Sequence, residues 1–196
     1  MKIYLASGNE NKRKEVSELL PDCTIVLPKD ENIGFEPEET GATFFENALI
    51  KAKALYGIVK TPVLADDSGL CIDFLKGLPG VRSARYGAVN GEHVSAHAAI
   101  NKVLSELKDQ TNRKAHFTCC IVFVLSEDRF YTVQETCEGE ITTAPCGMGG
   151  FGYDPIFFVS RFGKTFAELT SQEKNAISHR GRALKKMSRL IEAEYA

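Results

Sequence analysis

The chain has 196 residues, enough to bury a core of its own, and its 43% hydrophobic and 26% charged residues are the mix of an ordinary water-soluble protein. With 24 basic and 26 acidic residues the formal charge is −2, which argues against the strongly basic face of a stable nucleic-acid binder and leaves room for small anions held by a few local lysines. The 6 cysteines form no C-x-x-C pair, and the longest apolar run, Cys119 to Leu125, is far too short to cross a bilayer. The start, "MKIYLASGNENK", turns polar too early for a signal peptide. A reduced cytoplasmic protein is expected, with residues 1–196 forming a single domain and no membrane segment.

In chain order, Ile3 to Ala6 reads as a short buried strand and Lys12 to Leu20 as the helix behind it, joined by "SGNENK". Cys23 to Leu27 is a second strand, followed by the acidic loop "DENIGFEPEETG". Thr43 and Glu46 have the spacing of a capping box, and Phe45, Leu49, Ala52 and Tyr56 give the helix they open an apolar stripe. Val63-Leu64 reads as the end of a strand that breaks at "ADDSGL", with a turn on Ser68-Gly69. "LKGLPGVRSARYG" reads as loop, and roughly Gly91 to Leu107 as a second long helix. Phe117 to Leu125 and Arg129 to Glu138 form a hairpin, "YDPIFFV" a further strand, and Thr170 with Glu173 a second capping box ahead of an amphipathic C-terminal helix. Strands alternating with helices, plus one hairpin, predict an α/β protein with a mixed sheet.

Several stretches carry chemistry. Asp66 and Asp67, with Glu38 and Glu39, offer the all-oxygen donors that Mg²⁺ prefers, and a strand's carboxyl end is where α/β sheets place ligands. Glu38 and Glu39 alone read as solvated loop acids. Ser7, Gly8, Asn9, Glu10, Asn11 and Lys12 supply a hydroxyl, backbone amides and an ammonium suited to phosphate oxygens, although a plain polar loop has the same composition. Lys51 stands one turn after Asn47, by default a surface pair. "GMGGFG" imitates a dinucleotide fingerprint but no helix follows, and His93 and His97 lack the context of a zinc site. Lys174, His179 and Arg180 gather donors near the last helix, with Gly181 as a point where it begins or bends.

In order, "SGNENK", "EETG" before "TFFENALIKA", "ADDSGL", "GLPGVRSARY", "GFGYDPIF" and "EKNAISHRG" resemble the Ham1 family of inosine and xanthosine triphosphate pyrophosphatases, from Ser7 to Gly181. The resemblance implies an elongated mixed sheet flanked by helices in two lobes, with the active-site cleft between them, and a homodimer. It also implies Mg²⁺-dependent cleavage of ITP, dITP or XTP to the monophosphate and pyrophosphate, which cleanses the nucleotide pool. By the same resemblance the Ser7 to Lys12 loop and Lys51 hold the triphosphate, and Asp67 is the catalytic carboxylate and a metal ligand, with Ser68 on the substrate. Asp66 supports Asp67 or takes a second metal. Glu38 matches the loop metal ligand, with Glu39 adjacent to it as the alternative. Phe151, Gly152, Tyr153, Asp154, Lys174, His179 and Arg180 form the base pocket, with donors from His179 or Arg180 reading a C6 carbonyl. Competing readings are a pyrophosphatase for other nucleotides, altered between Phe151 and Arg180, a nucleotide-binding regulator without turnover, and a nucleic-acid phosphodiesterase.

Overall fold

The computed structural model describes residues 1–88 and 94–195. Seven strands lie in the order β2-β1-β3-β4-β5-β6-β7. Their ranges are β1 Lys2–Leu5, β2 Thr24–Val26, β3 Val63–Ile72, β4 Lys114–Val124, β5 Phe130–Ile141, β6 Phe157–Val159 and β7 Lys164–Thr165. β1 runs parallel to β2 and β3, whereas β5, β6 and β7 pair antiparallel, so the sheet is mixed. The helices are α1 Glu10–Leu19, α2 Phe44–Val59, α3 Ala96–Glu106, α4 Ser171–Ile177 and α5 His179–Tyr195. Of the helix expected from Gly91, residues 91–93 lie outside the described residues, and so does His93. Among the described residues no helix is long and apolar enough to cross a membrane.

The chain divides into two compact units. The first comprises Met1–Asp67, Cys119–Glu135 and His179–Ala196, and the second Ser68–Thr118 and Thr136–Ser178. In the first, alternation along the strands builds two cores. Ile3, Leu5, Leu64, Cys119, Ile121 and Phe123 pack with Leu184 and Met187 of α5, while Val63, Ala65, Cys120, Val122 and Val124 pack with Ala48, Ala52 and Leu55 of α2. Cys119 and Cys120 are thus adjacent because consecutive strand residues serve opposite faces. In the second unit Leu70, Ile72, Ile100, Val103, Phe117, Phe157 and Phe166 share one core, where the Phe117 and Phe157 rings stand 4.6 Å apart.

Both capping boxes form. Thr43 Oγ1 accepts the Glu46 amide at 3.1 Å while Glu46 Oε2 accepts the Thr43 amide at 3.1 Å, and Thr170 and Glu173 repeat the arrangement at the start of α4. Four expectations change. The buried stripe of α2 runs through Ala48, Ala52 and Leu55 with Asn47 and Lys51 beside it, so the Asn47/Lys51 pair is buried rather than exposed. "ADDSGL" is not a turn, since β3 continues unbroken for 10 residues from Val63 to Ile72. The break before the last helix falls at Ser178, whose ψ of 157° is extended, and Gly181 lies inside α5. "YDPIFFV" also shortens to a strand over Phe157–Val159, because Asp154–Ile156 forms a 3-10 turn.

Candidate active site

The site in the first unit follows from a difference in strand length. β1 ends at Leu5, and the Ala6 amide makes the last bond to β3, donating to the Leu64 carbonyl at 2.8 Å. In a parallel ladder every second carbonyl faces the same neighbour, so the next one, of Asp66, looks into the space where β1 has stopped. Two ammonium groups fill that space. Lys12 Nζ donates to the Asp66 carbonyl at 3.2 Å and Lys51 Nζ donates to the same oxygen at 3.0 Å.

Because β3 does not break, the side chains of Asp66 and Asp67 diverge. Asp66 is fully buried on the Cys119 side, where Oδ1 accepts from Lys12 Nζ at 2.5 Å and Oδ2 from Arg180 Nε at 2.6 Å and from the Cys119 thiol at 3.2 Å. Burial alone would raise this carboxyl, but Arg180 and Lys12 outweigh it and hold Asp66 well below the usual carboxylate range. Both oxygens thus accept from cationic side chains. Burial likewise pushes the Cys119 thiol well up, so it stays a neutral donor.

Asp67 turns the other way. Its Oδ1 accepts from Lys51 Nζ at 2.6 Å, and its Oδ2 is buried with no hydrogen-bond partner among the described residues. Burial raises the Asp67 carboxyl against the pull of Lys51 and Lys12. Lys51 itself stays protonated, because Asp67 and Glu39 outweigh the effect of its burial. Its third proton goes to Glu39 Oε1 at 2.9 Å, so all three donors of this ammonium are used.

The acidic loop is pinned to α2 one turn away from Lys51. Gly41 donates its amide to Asn47 Oδ1 at 2.8 Å, and a Cβ at Gly41 would lie 2.6 Å from Glu46 Cβ and 2.7 Å from Asn47 Oδ1. The close approach needs glycine. It brings Glu39 to Lys51, whereas Glu38 is exposed. Between the two alternatives, the structure places Glu39 beside Asp67.

The "SGNENK" loop does open a helix. Ser7 Oγ accepts the Asn9 amide at 3.1 Å, and Asn9 Oδ1 caps α1 by accepting the amides of Asn11 and Lys12 at 2.9 and 3.2 Å. Gly8, Glu10 and Asn11 are exposed, and Glu10 pairs with Arg13 at 2.5 Å.

In the second unit, Asp154 organises the remaining expected residues. Its Oδ2 accepts from the Phe151 amide at 2.7 Å and from Lys174 Nζ at 2.6 Å, and that ammonium lies 4.7 Å from the centroid of the Phe151 ring. Tyr153 is buried and donates its hydroxyl to the Ser83 carbonyl at 2.9 Å, a bracing role. In "GMGGFG", Gly147, Gly149 and Gly150 serve packing, whereas a Cβ at Gly152 would meet nothing within 4 Å. A Cβ at Gly150, whose φ is +69°, would lie 2.1 Å from Asp154 Oδ2. Ser68 and Gly152 are half-buried.

His179 and Arg180 begin α5 in the first unit, both buried. Against the expectation of a donor aimed at a base, the Arg180 guanidinium is occupied by Asp66 and by Glu15 Oε2, the latter 2.5 Å from Nη1. Glu15 had no signal in the sequence that set it apart from other helical glutamates.

A carboxylate atom buried without a hydrogen-bond partner among the described residues, a second carboxylate one ammonium away and two lysines on one carbonyl form a candidate site whose chemistry suits a polyanion and a hard cation. Among the described residues no three His, Cys, Asp or Glu side chains gather as a ready-made metal site. The donor set suits Mg²⁺, which is held by one or two carboxylates and completes its shell with substrate phosphates and water.

The chain belongs to the Ham1 family, whose model matches residues 3–190. It is 74% identical over 97% of its length, and 98% of the relative's, to the dITP/XTP pyrophosphatase of Treponema denticola. It is 49% identical to the dITP/XTP pyrophosphatase of Bacillus subtilis, covering 96% of each chain. Among solved structures, the Ham1 protein of Staphylococcus aureus superposes with a TM-score of 0.87 at 38% identity, over 99% of this chain and 100% of that one. A HAM1 protein from Coxiella burnetii superposes with a TM-score of 0.88 at 42% identity, over 98% and 99%.

Proposed function

We propose that this chain hydrolyses the purine nucleoside triphosphates dITP, XTP and ITP to the monophosphate and pyrophosphate, and that residues 1–196 act as one catalytic domain. The observation that carries the reading is Asp67 Oδ2, buried beside Lys51 and Glu39 and without a hydrogen-bond partner among the described residues. The relatives' activity on dITP and XTP supports the substrate class.

In this reading the oxygen of a water joins the α-phosphorus as the bond to the β-phosphate oxygen breaks, and pyrophosphate leaves. Asp67, with its carboxyl raised by burial, orients that water and takes its proton. Lys12, Lys51 and the Ser7–Lys12 loop hold the triphosphate, and Ser68 contacts it. Asp67 with Glu39 would hold Mg²⁺, which when bound neutralises phosphate charge and polarises the phosphoryl oxygens. Lys174 and Phe151, fixed by Asp154, face the base: a lysine donor suits the C6 carbonyl of hypoxanthine and xanthine and opposes the C6 amino group of adenine. His179 begins the helix that follows Lys174 and adds to base contact, while Arg180 supports the site through Asp66. A cytoplasmic homodimer completes the proposal, which light scattering coupled to gel filtration tests directly.

The deciding experiment is product analysis with ITP, XTP, dITP, ATP and GTP, each with Mg²⁺ and with EDTA. Monophosphate plus pyrophosphate from the first three, metal-dependent and with ATP and GTP nearly untouched, is the expected result. Release of orthophosphate, or survival of every nucleotide, would overturn it.

A further inference from the structure

The Lys12 ammonium has three protons, and Asp66 takes two of them, one at Oδ1 and one at the backbone carbonyl. Lys12 is also the shallow member of its pair, 15% exposed against 0% for Asp66. It can therefore donate its remaining proton outward without surrendering a bond, which Lys51, with three acceptors, cannot. This arrangement depends on the short bond between Lys12 and Oδ1 of Asp66.

A competitor stands next to it. Arg180 binds Oδ2 through Nε at 2.6 Å, and its Nη2 makes a second, long bond to Oδ1 at 3.5 Å. An arginine beside a carboxylate tends toward the two-pronged pairing that takes both oxygens. Here the far side of the guanidinium is held instead by Glu15, from Nη1 to Oε2 at 2.5 Å. Glu15 lies on α1, the helix that the Lys12 loop opens, so the same element that carries the lysine carries the carboxylate restraining its rival.

We propose that Glu15 is a positioning residue for triphosphate binding: by drawing Arg180 away from Asp66 it keeps the Nη2 bond to Asp66 Oδ1 long, so that the short bond on that oxygen goes to Lys12 and the third Lys12 proton stays turned toward the substrate. The proposal rests on the reading of this site as one that holds a triphosphate. With the charge of Glu15 removed, the guanidinium closes its long second bond to Oδ1, and the stronger anchor of Lys12 weakens. In this reading Glu15 acts on the reaction through Arg180, Asp66 and Lys12.

The test is binding of tripolyphosphate by calorimetry, without metal, to the wild type, Glu15→Gln, Lys12→Met and the double variant, alongside steady-state hydrolysis of dITP. Lys12→Met should weaken tripolyphosphate by roughly tenfold or more, as expected for loss of a charge-assisted bond. Glu15→Gln should weaken it by about threefold and raise KM with kcat nearly unchanged, and should add nothing in the Lys12→Met background, as coupled residues require. Gln keeps the shape and one acceptor of Glu15, so folding is preserved, and matching thermal midpoints verify this. Unchanged affinity in Glu15→Gln, or an equal loss in both backgrounds, would overturn the positioning role while leaving the proposed reaction standing. If the wild type hydrolyses no nucleotide and binds no tripolyphosphate, the reading of the site fails first and the positioning role with it.

Discussion

Asp66 and Asp67 are consecutive residues of one unbroken strand and serve opposite faces: Asp66 meets Lys12, Arg180 and Cys119, while Asp67 meets Lys51. The pair therefore separates into a carboxylate saturated by cations and one with a buried oxygen to spare. The second is the one that can act on a ligand.

Replacement of Asp67 by Asn should lower kcat by roughly 10³-fold, in the range expected for loss of a general base, while nucleotide binding stays measurable. Pyrophosphate release and calorimetry on the same preparation separate the two effects. Near-wild-type turnover would remove Asp67 from the chemistry.

Much of this arrangement can be read from the chain. The capping boxes at Thr43 and Thr170 are local signals, and both appear as spaced. "ADDSGL" misleads because Asp, Ser and Gly are turn formers when nothing else binds them. Here Lys12 and Arg180, distant in sequence, satisfy Asp66 and the strand runs on, a tertiary effect that local chemistry does not encode. Lys51 was ambiguous for a similar reason: its helix face is set by the core it packs on, and the stripe lies about one residue from where the pattern of large apolar residues puts it. The Glu15 to Arg180 contact joins residues 165 positions apart, and two ordinary helical charges carry no mark of it.

The acidic loop offers two glutamates, and only Glu39 reaches Lys51. Glu39→Gln should raise the Mg²⁺ concentration for half-maximal activity by about tenfold, whereas Glu38→Gln should change it by less than about twofold, as is usual for an exposed charge. Metal titrations of both variants decide the matter. The reverse ranking would give the metal to Glu38 and require the loop to move when the ion binds.

Base preference should follow Lys174. Its ammonium is fixed by Asp154 at 2.6 Å and lies over Phe151, so Lys174→Met removes a donor while leaving the aromatic ring. The ratio of kcat/KM for dITP over dATP should fall by about tenfold or more, the scale of a lost hydrogen bond to a charged group. A parallel series with Arg180→Lys should move KM through Lys12 and leave that ratio in place, because Arg180 faces Asp66 and Glu15. A collapse of the ratio in the arginine variant, with none in the lysine variant, would return base reading to the start of α5.

The same network sets the acid limit of stability. Burial raises the Asp66 carboxyl, but Arg180 and Lys12 outweigh it, so the folded value lies well below the ordinary 3.8 while the unfolded chain keeps a value near that figure. The stabilisation is therefore complete above about pH 5, and it is lost progressively as the pH falls through 3.8 toward the folded value. The thermal midpoint of the wild type should drop steeply on that limb. Asp66→Asn removes one of the carboxylates that hold Arg180, while Glu15 keeps the other end of the guanidinium, and should destabilise the protein at neutral pH by about 3 kcal/mol, the scale for breaking a buried pair. Its acid limb should in turn be flatter, since the titrating group is gone. An unchanged slope in the variant would assign acid sensitivity to the capping carboxylates Glu168 and Glu173, which are also held low, by backbone hydrogen bonds from Thr165 and Thr170.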